Sequence, residues 1–220
     1  MKNKYSHNKY SHIIWDWNGT LFNDVNWCIE VMNKMLIKRE IPPISNIQDY
    51  HAAFCFPIIE YYSNVGFDFS IEPFEDLAKE FIDTYHVNKS GNSKLYINAE
   101  TVLAEAQESG ITQIILSASK ADNLLSQLSE FDITHYFDET LGLSDIYAQS
   151  KADIGVNYIV KSNVKNALVI GDTIHDYEVA TQLSADCLLI SSGHQSKEKL
   201  LSCGVPVLDD ISGVLKVLEL

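Results

Sequence analysis

Three apolar runs in this chain each break off at a polar residue able to do chemistry. Ile13-Ile14-Trp15 delivers Asp16, Gln113-Ile114-Ile115-Leu116 delivers Ser117, and Ala167-Leu168-Val169-Ile170 delivers Gly171-Asp172. Short runs rich in β-branched residues read as strands buried on both faces. Segments of helical periodicity lie between them. Strand and helix in alternation specify a parallel sheet with helices on both sides. Right-handed crossovers carry the ends of such strands to one edge, where open α/β sheets bind ligands. The expected fold class is therefore α/β, a doubly wound parallel sheet, with Asp16, Ser117 and Asp172 gathered along one edge.

The alternation predicts helices over 99–109, 122–130, 151–160 and 176–183. It predicts strands over 111–116, 137–141, 167–170 and 187–190, and a last one near Val207. One stretch is different. Val25, Cys28, Ile29, Met32, Met35 and Leu36 recur at three- and four-residue spacing and predict a helix over 25–38. Asp24 or Asn23 is placed to cap it, and Pro42-Pro43 ends the unit. Helical patterns follow over 47–54, 57–65 and 72–85, and a polar loop over 87–94 returns the chain. The expected division is a core made of 1–22 and 91–220, with 23–90 as a helical insert. The repeated Asn-Lys-Tyr-Ser-His at 3–7 and 8–12 reads as a polar lead-in to the first strand.

The polar residues have an order of their own. Asp16-Trp17-Asn18-Gly19-Thr20-Leu21 comes first, then Ser117, then Lys151, then Gly171-Asp172 with Asp176 four residues on. This order closely resembles the four motifs of the haloacid dehalogenase-like (HAD) phosphatases. The resemblance implies a Rossmann-like HAD core with an inserted α-helical cap, most similar to the phosphoglycolate phosphatase-like branch. It implies Mg2+ as cofactor and a small phosphorylated metabolite as substrate. Asp16 is then the nucleophile that forms an aspartyl-phosphate. Thr20, Ser117, Ala118 and Lys151 are the phosphate-binding candidates, with Ser119 a rival to Ser117. Asp16, the main-chain carbonyl of Asn18, Asp172 and Asp176 are the metal-holding candidates, a set suited to a cation that takes about six oxygens. His51 and Phe56 are candidate substrate contacts from the cap, and His175 reads as a residue beside the site.

Asn18 departs from the family pattern. The second Asp of the first motif protonates the leaving oxygen and later activates water. An amide can donate a hydrogen bond but exchanges no proton at neutral pH, and losing a general acid/base costs ~10²- to 10⁴-fold. Asn18 is thus a catalytic position with weakened acid/base capacity. The enzyme then favours substrates with good leaving groups, or another group moves the proton, or the chain is a catalytically impaired phosphate-ligand binding protein. Deamidation of Asn18-Gly19 is a further route to an acid at this position. A phosphonate hydrolase needs a cap lysine, and no Lys lies between Arg39 and Lys79. A phosphotransferase of the mutase kind needs the missing acid as well.

Composition narrows the setting. The formal net charge of -14 excludes nucleic acid as an expected partner, because that needs a basic surface. No apolar run approaches the ~20 residues of a membrane span, and the polar start carries no leader pattern. Cys28, Cys55, Cys187 and Cys203 are far apart without Cys-x-x-Cys spacing, which suggests neither zinc nor disulfides. Reduced thiols fit a cytoplasmic setting. The chain carries no sequence signal of oligomeric state.

Overall fold

The structure, a computed structural model, describes residues 9–87, 94–143 and 150–220. The first pentapeptide repeat and most of the 87–94 loop lie outside the described residues. Six parallel strands form the central sheet: β1 (His12–Trp15), β4 (Thr112–Lys120), β5 (Glu139–Leu143), β6 (Ala167–Gly171), β7 (Asp186–Ile190) and β8 (Val207–Leu208). Their spatial order is β5-β4-β1-β6-β7-β8. β1 sits between β4 and β6, with Ile14 level with Ile114 on one side and Val169 on the other.

Side-chain alternation explains why these runs are apolar throughout. Ile13 and Trp15 face one buried cluster, with Ile115, Leu168 and Ile170. It is covered by α5 (Ala99–Glu108), α6 (Ala121–Glu130) and α10 (Gly213–Leu218). Ile14 faces the opposite cluster, with Ile114, Val169 and Leu189. There α7 (Lys151–Lys161), α8 (Ile174–Gln182) and α9 (Lys197–Leu201) provide the cover. A strand buried on both faces has no polar side to show. The indoles packed in the first of these clusters find partners: Trp15 Nε1 donates to Gln113 Oε1 and Trp17 Nε1 to Gln127 Oε1, each at 3.0 Å.

Between β1 and β4 the chain leaves the sheet through a two-stranded antiparallel ribbon, β2 (Phe22–Asn23) with β3 (Lys94–Leu95). The ribbon brackets α1 (Val25–Lys38), α2 (Ile47–Ala53), α3 (Ile58–Asn64) and α4 (Phe74–Val87). These helices share a third apolar cluster, which includes Trp27, Met32, Tyr50, Tyr62 and Leu77. Arg39 ties the unit together, donating to Glu72 and Glu80 at 2.6 Å and to the Met35 carbonyl at 3.0 Å.

Several boundaries differ from expectation. β4 does not stop at Leu116 but runs on through Ser117 to Lys120, with an irregular register against β5 after Leu116. α8 starts at Ile174 rather than Asp176, because Asp176 sits in a capping box with Thr173. Asp24 occupies the N-cap position of α1 without capping it. Its carboxylate is engaged elsewhere. The ribbon, α9 and α10 are elements too short for periodicity to reveal.

Candidate active site

The strand order sets β4, β1 and β6 side by side, so their ends converge. Asp16 leaves β1 with its N–H bonded to the Ile170 carbonyl at 2.8 Å, which ties it to β6. Asp172 follows β6, and Ser117 lies in the last part of β4. Lys151 begins α7 behind a capping box made by Ser150 and Asp153. Its buried ammonium donates to Asp16 Oδ1 and, at 2.6 Å, to Asp176 Oδ1. The other Asp176 oxygen accepts from the Thr173 N–H at 3.0 Å and hydroxyl at 2.7 Å. The Thr20 hydroxyl donates to Asp172 Oδ1 at 2.9 Å and lies 3.2 Å from Asp16 Oδ2. Thr20 is fully buried and occupied by two carboxylates, so it fixes the acids rather than facing open space.

Three buried carboxylates around one ammonium leave an excess of negative charge. Burial pushes Asp16 up; the Lys151 charge pulls it down and Asp176 pushes it up again. Asp172 is also raised, first by burial, with the His194 charge opposing and Asp16 and Asp176 adding. Asp176 goes the other way: its burial is overcome by Lys151 and by Thr173, and its carboxyl stays below the ordinary range. One carboxylate oxygen from each of Asp16, Asp172 and Asp176 lies within 4.8 Å of the other two. Hard oxygen donors with uncompensated negative charge fit a divalent cation such as Mg2+.

Gly19 makes this crowding feasible. It holds a positive φ of 79°, and a β-carbon there would collide with the Asp172 carboxyl group and the His194 ring. We expect Gly19→Ala to lose stability twice, through left-handed strain of about 1–2 kcal/mol and overpacking of about 1–3 kcal/mol. Thermal unfolding checks this: an unchanged Tm would show that the turn is not held as described.

A second polar network lies beside the first. Asn18 Nδ2 donates to Asp24 Oδ2 at 2.8 Å and lies 3.2 Å from the Tyr85 hydroxyl, while its Oδ1 accepts from Ser119 at 2.9 Å. Tyr85, from α4, donates to Asp24 Oδ2 at 2.7 Å. His194 Nε2 is 3.3 Å from Asp24 Oδ1, and its backbone N–H donates to Asp172 Oδ2 at 2.6 Å. Burial alone would lower His194, but its hydrogen bond to Asp24 and the charges of Asp24 and Asp172 raise it to about 9. The Tyr50 hydroxyl sits 2.7 Å from His194 Nδ1. These contacts join α2 and α4 of the helical unit to the sheet edge. Lys199 adds to them, donating to the Ala52 and Phe54 carbonyls at 3.1 Å at the end of α2.

A cavity of about 450 Å³ opens over both networks. Asp16, Asn18, Ser117, Ala118, Lys151, Asp172 and Asp176 all line it, so these expected site residues are brought together. Ser119, His175 and Phe56 line it too, with Phe56 stacked on His175 at 4.9 Å. His51 instead has Nε2 3.0 Å from the Gly193 carbonyl. Asp24, Tyr50, Tyr85 and His194 are lining residues that sequence reasoning missed. Asp24 gave a signal there as a candidate helix cap, and Tyr50 as one of the aromatic residues of the insert read mainly as core.

A sheet edge bearing acids, a buried ammonium and a strand-borne hydroxyl brings groups able to bind a cation and groups able to bind an anion to one place. The match of residues 13–190 to the haloacid dehalogenase-like hydrolase family model makes the assignment specific. The chain belongs to the haloacid dehalogenase-like family. Its fold is similar to that of a haloacid dehalogenase-like family protein from Streptococcus pneumoniae, with a TM-score of 0.80, 19% identity, and coverage of 95% of this chain and 98% of that one. A "predicted phosphatase" from Clostridium acetobutylicum has a TM-score of 0.76 and 23% identity, with coverage of 96% and 99%. A "predicted phosphoglycolate phosphatase" from Haemophilus somnus 129pt has a TM-score of 0.78 and 18% identity, with the same coverage. No curated protein matches the chain in sequence. Among the described residues no helix is long and apolar enough to cross a membrane.

Proposed function

We propose that this protein is a Mg2+-dependent phosphatase that hydrolyses a small phosphorylated metabolite through an aspartyl-phosphate on Asp16, with 23–90 acting as a helical cap. The observation that carries this is the convergence of Asp16, Ser117, Lys151, Asp172 and Asp176 on one cavity at the sheet edge. Phosphoryl transfer needs positioning and charge neutralisation more than covalent machinery. Asp16, Asp172 and the Asn18 main-chain carbonyl would hold Mg2+, with Asp176 orienting them, and the ion would screen the carboxylate from the phosphate. Lys151 holds Asp16 by one oxygen, which orients the other toward phosphorus. Ser117 is placed to donate to a phosphate oxygen. The free thiols of all four cysteines support a cytoplasmic setting.

Acetyl phosphate with Mg2+ tests this reading, because its leaving group needs no proton. Turnover with phosphate trapped on Asp16 supports it. Binding of phosphate without an adduct supports the rival, a catalytically impaired binding protein, which Asn18 keeps in play.

Asn18 can be tested separately. Alone, Asn18→Asp would set a second carboxylate against Asp24, and like charges that close share a proton. Combining it with Asp24→Asn keeps one acid and one amide across the same contact. We expect the pair to raise turnover of alkyl phosphates by ~10²- to 10⁴-fold. No gain, in protein whose Tm shows it folded, would mean that proton transfer does not limit the reaction.

A further inference from the structure

The cavity is lopsided. Its sheet edge carries the acids and Lys151, while its other wall is Phe54, Phe56, Tyr61, Tyr62, Phe74 and Phe81. Phe56, Ile58 and Ile82, which also line the cavity, are exposed at 39%, 36% and 43%. Among the described lining residues the lysines are Lys120 and Lys151, and there is no arginine. Lys151 is committed to Asp16 and Asp176, and Lys120 is exposed at the end of β4, on the sheet side. A substrate with a second anionic group would find no lysine or arginine on the wall facing its phosphate. The volume suits a single aromatic ring with its phosphate, since small-ligand sites run roughly 300–1,000 Å³. The buried Tyr61 hydroxyl has no hydrogen-bond partner among the described residues.

The second constraint comes from Asn18. Its amide is held on both sides, by Asp24 and by Ser119, and has no proton to give the leaving oxygen. With Asn18 unable to supply that proton, the leaving groups served best are acidic ones. A phenol, with a pKa near that of Tyr at about 10, is such a group, and an aliphatic alcohol is not. Wall and Asn18 therefore ask for the same substrate.

We propose that the substrate is the phosphate monoester of an uncharged phenol, its ring lying against the aromatic wall of the cap. This rests on the phosphatase reading and narrows it. In the first step the Asp16 oxygen bonds to phosphorus, the bond from phosphorus to the phenolic oxygen breaks, and its electron pair leaves as phenolate, which takes a proton from solvent. In the second, water adds to phosphorus, the Asp16–phosphorus bond breaks, and both water protons leave with the product as dihydrogen phosphate.

The test compares 4-methylphenyl phosphate, benzyl phosphate, phosphoglycolate, a nucleoside 5′-monophosphate and acetyl phosphate on the full chain with Mg2+. The first two are isomers of nearly equal size that differ in leaving-group acidity. We expect kcat/KM for 4-methylphenyl phosphate to exceed that for benzyl phosphate and phosphoglycolate by ~10²-fold or more, the scale of an absent general acid. Phe81→Leu, which keeps an apolar side chain, is expected to raise KM for 4-methylphenyl phosphate several-fold, with Tm confirming the fold. Equal rates on the two isomers overturn the proposal, as does phosphoglycolate or the nucleotide as the better substrate. In those cases acetyl phosphate is still turned over and the phosphatase reading stands. Failure of acetyl phosphate as well, with no adduct on Asp16, removes that reading itself.

Discussion

Asp16→Asn is expected to abolish phosphate-ester hydrolysis and the covalent phosphate adduct while leaving the chain folded. The loss should be of order 10⁴- to 10⁶-fold, the range seen when members of a covalent catalytic unit are removed. The reason the fold survives lies in the charge balance. Asp16 is one of three buried carboxylates served by a single ammonium, and it is held above its ordinary pKa by burial and by Asp176. An amide of the same shape takes away one negative charge from an over-charged cluster. Lys151 keeps its bond to Asp176 at 2.6 Å and so is not orphaned. The Asp16 N–H to Ile170 carbonyl bond belongs to the backbone and is untouched. Metal-free Tm should therefore be unchanged or higher in the variant. A folded Asp16→Asn protein retaining more than about one-hundredth of wild-type turnover would assign the nucleophile elsewhere, since a general acid/base alone accounts for ~10²- to 10⁴-fold.

Asp16 and Asp172 were legible in the chain because each ends an apolar run and breaks its pattern. Lys151 at the start of α7 and Asp176 in the first turn of α8 were legible only from the order of the motifs. Strand β1 has two buried faces, so Ile13, Ile14 and Trp15 must all be apolar, and Asp16 stands out. The same logic finds Asp172 after β6. α1 spans Val25–Lys38 as its spacing requires, since one face meets the cluster around Met32 and Tyr50. Ser117 was placed at a strand end for the wrong reason. Apolar character stops at Leu116, but backbone pairing carries β4 four residues further.

The second network was not legible, and the cause is physical. Asp24, Tyr85 and His194 come from α1's start, α4 and the loop after β7, and only the folded chain brings them within hydrogen-bond reach. Asp24 looked like a helix cap, which is the common use of such a residue. Its side chain turns instead to Asn18, Tyr85 and His194. Nothing local to Asn18 announces that its amide has partners on both sides. Tertiary contacts of this kind leave no periodic trace.

Lys151→Met is expected to be the most destabilising single substitution in the site. Removing one partner of a buried ionic cluster costs about 3–5 kcal/mol, because the remaining charges lose their compensation. Here the loss falls on both Asp16 and Asp176, since Lys151 is their shared donor. For a chain of this size the expected fall in Tm is roughly 6–20 °C, at about 2–4 °C per kcal/mol. The penalty has a sign in pH. Lys151 is the group that pulls Asp16 down, so its removal raises the folded-state pKa further. A carboxyl raised on folding takes up its proton more readily in the native state, so the native state gains as pH falls through that raised value. The penalty is thus full only above that raised value and shrinks as pH falls through it. Adding Asp16→Asn to Lys151→Met should recover part of the loss, and the two substitutions should be strongly non-additive, as contacting residues are. Additive losses in that double-mutant cycle, or a Tm indifferent to pH, would mean that Lys151 is held by packing and not by the charges it lies between.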